Sequence, residues 1–147
     1  MDMVDLRSHS DYESLDRDGW GIPTISADTV EEREHVLGNS ERGKGLDLIL
    51  MPGVAFQIDE STGFVKRLGH GKGFYDYFLH RYRESRGSHV KEPSKDPGRG
   101  VLLYGLALKE QFLDTTAEEV PIGDHDSLLH GLVIGDGRPV KGPAKGL

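Results

Sequence analysis

Two short apolar runs, LDLILM at residues 46–51 and VLLYGLAL at residues 101–108, constrain the fold more than any other feature of the chain. The first follows a glycine and is closed by Pro52-Gly53. A continuous apolar run of that length between turn signals reads as a strand buried on both faces, and such strands sit inside parallel sheets. Residues 132–134 (LVI), before Gly135-Asp136-Gly137, predict a third, shorter strand. Between the first two runs, Phe74, Phe78 and Tyr82 recur every four residues in FYDYFLHRYRES, which predicts an amphipathic helix. Strand, helix, strand in that order is a βαβ-type crossover, so an α/β fold is expected. Phe56-Gln57-Ile58 and Phe64-Val65-Lys66 flank a polar turn at 59–63 and predict a small inserted hairpin. Residues 1–6 (MDMVDL) alternate like a strand, as if the chain began inside a sheet. Residues 24–45 and 87–100 are polar and predict exposed, mobile insertions, and the tail from 137 predicts a frayed end.

With 147 residues, 35% of them hydrophobic, the chain has material for one domain with a modest core. That domain is assigned to residues 1–137, with 138–147 a flexible tail. A net charge of −7 disfavours a nucleic-acid or membrane-surface partner, since such proteins usually carry the opposite sign. Local charge differs from the global value: Lys66, Arg67, His70 and Lys72 crowd one short stretch, as they would to draw in an anion. The absence of cysteine excludes disulfides and thiolate metal sites. No apolar run of about 18 residues and no Arg-rich leader are present, so a soluble, cytoplasmic protein is expected.

Residues 67–76, RLGHGKGFYD, place glycines at alternate positions directly before the predicted helix. Glycine lets a bulky anion approach backbone N–H groups, and a helix N-terminus adds partial positive charge. Arg67 and Lys72 would add formal charge. The spacing matches neither G-x-G-x-x-G nor a P-loop. Taken alone, the glycines suit a phosphate cradle and a flexible surface loop equally.

Four ordered blocks, LDLILMPGVAFQ, RLGHGKGFYD, YGLALKEQ and VPIGDHD, together resemble the 5-formyltetrahydrofolate cyclo-ligases, also called methenyltetrahydrofolate synthetases. The resemblance extends from MDMV through DGWGIP to about Gly137. It implies an α/β fold with a mixed, mainly parallel sheet flanked by helices. It also implies an enzyme that uses ATP and Mg²⁺ to convert 5-formyltetrahydrofolate to 5,10-methenyltetrahydrofolate. In that chemistry the γ-phosphoryl group of ATP activates the formyl oxygen, and N10 closes the ring. Carried onto this chain, the resemblance implies ATP binding by Arg67, Leu68, Gly69, His70, Gly71, Lys72, Gly73, Phe74 and Tyr75, with Arg67 and Lys72 catalytic. For the folate it implies Trp20, His70, Gly71, Lys72, Gly73 and Phe74, the aromatic rings offering flat faces to a pterin or an adenine. Asp76 and Asp126 match metal-binding positions. By itself, the Asp124-His125-Asp126 trio reads as a solvated loop.

This chain departs from the family pattern in two places. The family's N-terminal basic helix, first strand and following helix have no counterpart, so the fold is expected to be incomplete at its N-terminus, with apolar sheet surface left bare. His130 stands where the family commonly has an acidic residue. A small-molecule folate substrate is expected, with no nucleic-acid or membrane partner. A monomer is implied for the full family fold, and self-association for this chain. The alternative is a truncated, non-catalytic folate- or nucleotide-binding protein.

Overall fold

Parallel pairing organises the larger part of the chain. The computed structural model describes residues 1–38, 45–86, 100–113 and 118–143, which fall into two compact units, Met1–Lys44 and Gly45–Leu147. The first contains helix α1 (His9–Glu13), strands β1 (Asp16–Arg17) and β2 (Pro23–Thr24), and helix α2 (Ala27–Val30). The second runs β3 (Leu48–Pro52), β4 (Ala55–Ile58), β5 (Val65–Leu68), α3 (Phe74–Ser85), β6 (Leu102–Ala107), β7 (Gly131–Ile134) and β8 (Pro139–Lys141).

The main sheet has the order β3-β6-β7-β8. β3 pairs with β6 and β6 with β7 in parallel, while β8 returns antiparallel to β7. The sheet is thus mixed and mainly parallel, in an α/β fold. The predicted hairpin is β4–β5, in the register Ile58↔Val65 and Gln57↔Lys66. The predicted helix is α3, over the same residues as its sequence period marked out.

Burial corrects the reading of the apolar runs. β3 alternates, with Ile49 and Met51 buried while Leu48 and Leu50 are each 48% exposed. Register carries that alternation across the sheet. Met51 lies beside Gly105 and Gly105 beside Leu132 on the covered face, whereas Leu106 and Val133 share the exposed one. Hairpin residue Phe56 packs directly on the covered face, since a Cβ at Gly105 would come within 2.6 Å of its ring. α3 adds Phe78, Leu79 and Tyr82 to the core, the two rings stacked 6.0 Å apart. Continuous apolar character therefore marks a parallel strand here without marking burial on both faces, because among the described residues only one face is covered.

Three other expectations change. Residues 1–6 form no strand and make a single antiparallel bridge, Val4↔His35. Residues 24–38, expected as an exposed insertion, carry α2 and the buried Arg33, whose guanidinium pairs with Asp11. Part of the expected tail is strand: β8 pairs with β7 through Leu132↔Val140 because Gly137, at φ 84°, turns the chain back. Residues 39–44, 87–99, 114–117 and 144–147 lie outside the described residues. Among the described residues, no helix is long and apolar enough to cross a membrane.

Candidate active site

The glycine stretch joins the end of β5 to the start of α3 and forms one wall of a cleft of about 320 Å³. Its glycines are there for two different reasons. Gly71 and Gly73 have φ of 81° and 62°, a region L side chains rarely adopt, with Gly73 at the N-cap of α3. Gly69 makes room instead, since a Cβ there would sit 3.0 Å from Nη1 of Arg67. The loop thus turns left-handed at two points and folds over a guanidinium at a third.

Arg67, on β5, extends beneath the loop with its side chain only 7% exposed. Its Nη2 donates to Oδ2 of Asp76 at 2.9 Å, and its Nη1 donates to the carbonyl of Pro52 at 3.2 Å. Its guanidinium carbon lies 5.4 Å from the centre of the Tyr75 ring, and its Nε is buried without a hydrogen-bond partner. Asp76 stands in the first turn of α3, where a carboxylate also complements the helix dipole. Its other oxygen accepts the backbone N–H of Ser127 at 2.9 Å. That bond ties α3 to the loop bearing Asp126, whose Oδ2 accepts the N–H of Gly123 at 2.8 Å.

The cleft brings together most of the residues singled out in the sequence. Arg67, Leu68, Gly69, His70, Gly71, Lys72, Gly73, Phe74, Tyr75 and Asp76 line it, and so does Asp126, which lies fifty residues further along the chain. His70 and Lys72 are exposed. The Lys72 ammonium lies 5.9 Å from the centre of the half-exposed Phe74 ring. Trp20 belongs to the other unit, at the turn between β1 and β2, with 91% of its surface exposed. His130 is built into the main sheet: its Nδ1 accepts the N–H of Leu103 at 2.9 Å and its ring meets Phe64 edge-on.

Four contributors are absent from the site residues singled out in the sequence. Pro52 lines the cleft. Gln111 donates to the carbonyl of Gly53 at 3.0 Å and accepts the N–H of Leu108, fastening the turn after β3 to the end of β6. Ser127 joins Asp76 to the Asp126 loop, and its hydroxyl lies 3.4 Å from Nη1 of Arg83. Burial pushes the Arg83 guanidinium down, while the charge of Asp76 pulls it up. Arg83 had a detectable signal, because it follows Asp76 by two helical turns and shares its face.

The donor set suits a hard cation. Asp76 and Asp126 both line the cleft, and Mg²⁺ keeps several waters and takes one or two protein carboxylates together with phosphate oxygens. No group of three or more His, Asp or Glu residues able to hold a metal occurs among the described residues, so any cation here would rely on water and ligand oxygens as well.

Known sequences converge on the same identity. A yeast (Saccharomyces cerevisiae) protein named 5-formyltetrahydrofolate cyclo-ligase is 40% identical over 92 residues, covering 63% of this chain and 35% of its own. The mouse protein of that name is 32% identical over 136 residues, 92% of this chain and 54% of its own. An Arabidopsis thaliana protein named as the mitochondrial cyclo-ligase is 34% identical over 107 residues, 72% of this chain and 32% of its own. The chain therefore spans between about a third and a little over half of the length of these curated relatives. With the 5-formyltetrahydrofolate cyclo-ligase family profile matching residues 1–135, the chain belongs to that family.

Proposed function

We propose that this chain carries the nucleotide site of a 5-formyltetrahydrofolate cyclo-ligase, converting 5-formyltetrahydrofolate to 5,10-methenyltetrahydrofolate with ATP and Mg²⁺. The observation that supports this most is the cleft itself, which collects a glycine loop, two cations and two carboxylates from separate segments of the chain. Phosphoryl transfer asks mainly for positioning and charge stabilisation, and these residue types supply both. Lys72 and backbone N–H groups of the loop would hold the triphosphate, with Arg67 beneath them. Asp76 and Asp126 would hold Mg²⁺, which supplies neutralisation of the phosphate charge. The formyl oxygen takes the γ-phosphoryl group as the bond to ADP breaks. N10 then attacks the formyl carbon and loses its proton, and the C–O bond breaks to release inorganic phosphate. Phe74 and Tyr75, which line the cleft, would stack on adenine or pterin. A cytoplasmic location belongs to the same reading, and so does self-association through the exposed face bearing Leu48, Leu50, Leu106 and Val133.

Turnover tests it directly: absorbance of methenyltetrahydrofolate should rise when the chain meets 5-formyltetrahydrofolate, ATP and Mg²⁺. Ligand-induced thermal stabilisation without turnover would instead favour a binding protein that has lost catalysis.

A further inference from the structure

Asp76 already has a cation. Its Oδ2 accepts Nη2 of Arg67 at 2.9 Å, its Oδ1 accepts the N–H of Ser127 at 2.9 Å, and both ionic side chains are largely removed from water, at 7% and 13% exposure. Two acceptors remain for Arg67 in this arrangement, Asp76 and the Pro52 carbonyl, and its Nε stays buried with neither. A divalent ion at Asp76 would place two positive charges beside a guanidinium at hydrogen-bond range of the same carboxylate. In a partly buried site that repulsion is poorly screened.

We infer that Arg67 is the resident counter-ion of Asp76 and competes with a divalent cation for it, so that an oxyanion in the cleft, by giving Arg67 a new acceptor, admits the cation. This rests on the nucleotide-site reading above and deepens it. The carboxylate pair alone is a weak cation site, and metal and phosphate enter with positive coupling. The coupling is reciprocal, because linkage between two ligands acts equally on both. Arg67 thereby acts on the metal through Asp76, apart from any contact with a transferred phosphoryl group.

Mn²⁺ binding, read by electron paramagnetic resonance in the absence of nucleotide, tests this without turnover. Arg67→Gln should bind Mn²⁺ at least about 5-fold more tightly than the unaltered chain, the scale of one partly screened charge interaction. Mn²⁺ should also raise the melting temperature of Arg67→Gln more than that of the parent. Asp76→Asn should abolish the gain when combined with Arg67→Gln. A second arm needs no variant. Sulfate, a tetrahedral anion that binds Mn²⁺ weakly in water, should tighten Mn²⁺ binding to the parent relative to chloride at equal ionic strength. Equal or weaker Mn²⁺ binding by Arg67→Gln, or no effect of sulfate on the parent, would overturn the inference. Either result can occur while the unaltered chain shows cyclo-ligase turnover, so it would leave the proposed function standing. Absent turnover with tighter Mn²⁺ binding would do the reverse.

Discussion

Each unit of this protein contains an arginine side chain largely removed from water and paired with an aspartate, and the two pairs have different surroundings. In the first unit Arg33 donates through Nη1 and Nη2 to both oxygens of Asp11, at 2.7 and 2.8 Å, and Nη1 also reaches the carbonyl of Asp5. Both Nη atoms meet one carboxylate in a two-pronged contact, while the Arg33 Nε, like that of Arg67, is buried without a hydrogen-bond partner. Arg33 and the backbone N–H of Arg7 hold the Asp11 carboxyl well below the usual carboxylate range. In the second unit Arg67 gives Asp76 one nitrogen only, and the other carboxylate oxygen is shared with a loop that brings a second aspartate. Clefts of about 340 and 320 Å³ lie beside the two pairs, so neither the ion pair nor the hollow distinguishes them. What differs is the neighbourhood. Left-handed glycines, a helix start, an exposed lysine and Asp126 surround Asp76, whereas Asp11 is surrounded by the groups that saturate it.

The sharpest way to break this comparison is to neutralise each aspartate in turn. Asp76→Asn keeps an acceptor for Ser127 but turns an amide toward Arg67, leaving a buried guanidinium without its charge partner. Removing one member of such a pair costs about 3 kcal/mol of stability, and on the proposed role of Asp76 in holding Mg²⁺ its loss should lower turnover by at least about 100-fold while raising the Mg²⁺ concentration required. Mg²⁺ titrations of activity, set beside melting curves, separate the two losses. Asp11→Asn should lower the melting temperature of the first unit with no change in Mg²⁺ requirement. An identical Mg²⁺ curve for Asp76→Asn would return Asp76 to a purely structural role, equal to Asp11.

Lys72 tests the neighbourhood without the pair. It is exposed, so Lys72→Ala should leave the melting curve unchanged while weakening ATP use by about 10- to 100-fold, the value of one charge-assisted contact. Unchanged apparent ATP affinity and turnover would remove it from the site. Gly71→Ala is a smaller perturbation. Nothing lies within 4 Å of the added methyl, so the cost comes from φ of 81° alone, about 1 to 2 kcal/mol locally. The loop would relax away from the left-handed turn, and ATP use should fall more than global stability does.

Legibility in the sequence followed the range of the forces involved. α3 was readable because its period of apolar residues is local, and Phe78 and Tyr82 are buried as that period requires. Phe74 departs from it, being half exposed in the cleft, because the first turn of α3 borders the loop and not the core. The strands were readable as strands, but which face would be covered depends on what the rest of the chain lays over them. Arg33 looked like a solvated charge in a polar stretch, and its burial comes from Asp11, 22 residues earlier. The bond from Ser127 to Asp76 spans 51 residues, so no local pattern could signal it. Even Gly69, prominent in the motif, owes its place to the Arg67 side chain turning under the loop.

The last and smallest effect separates the two units by pH. In the first unit the His35 ring lies 2.8 Å, at Nδ1, from the Asp2 carboxylate and 3.0 Å, at Nε2, from the carbonyl of Val30. Asp2 foremost, and Val30 after it, raise the affinity of His35 for its proton, outweighing the opposing effect of burial. The folded unit then holds a proton that the unfolded chain releases near pH 6.5. A raised value means the stabilisation is complete below that pH and disappears as pH climbs through the folded value, because there the folded form must give up its extra proton. The first unit should therefore melt at a lower temperature at pH 9 than at pH 6. His35→Gln should flatten that dependence, leaving Mg²⁺ and ATP responses of the second unit as they were. A pH slope that survives in His35→Gln would assign the dependence to another group and leave the Asp2–His35 contact without an energetic role near neutral pH.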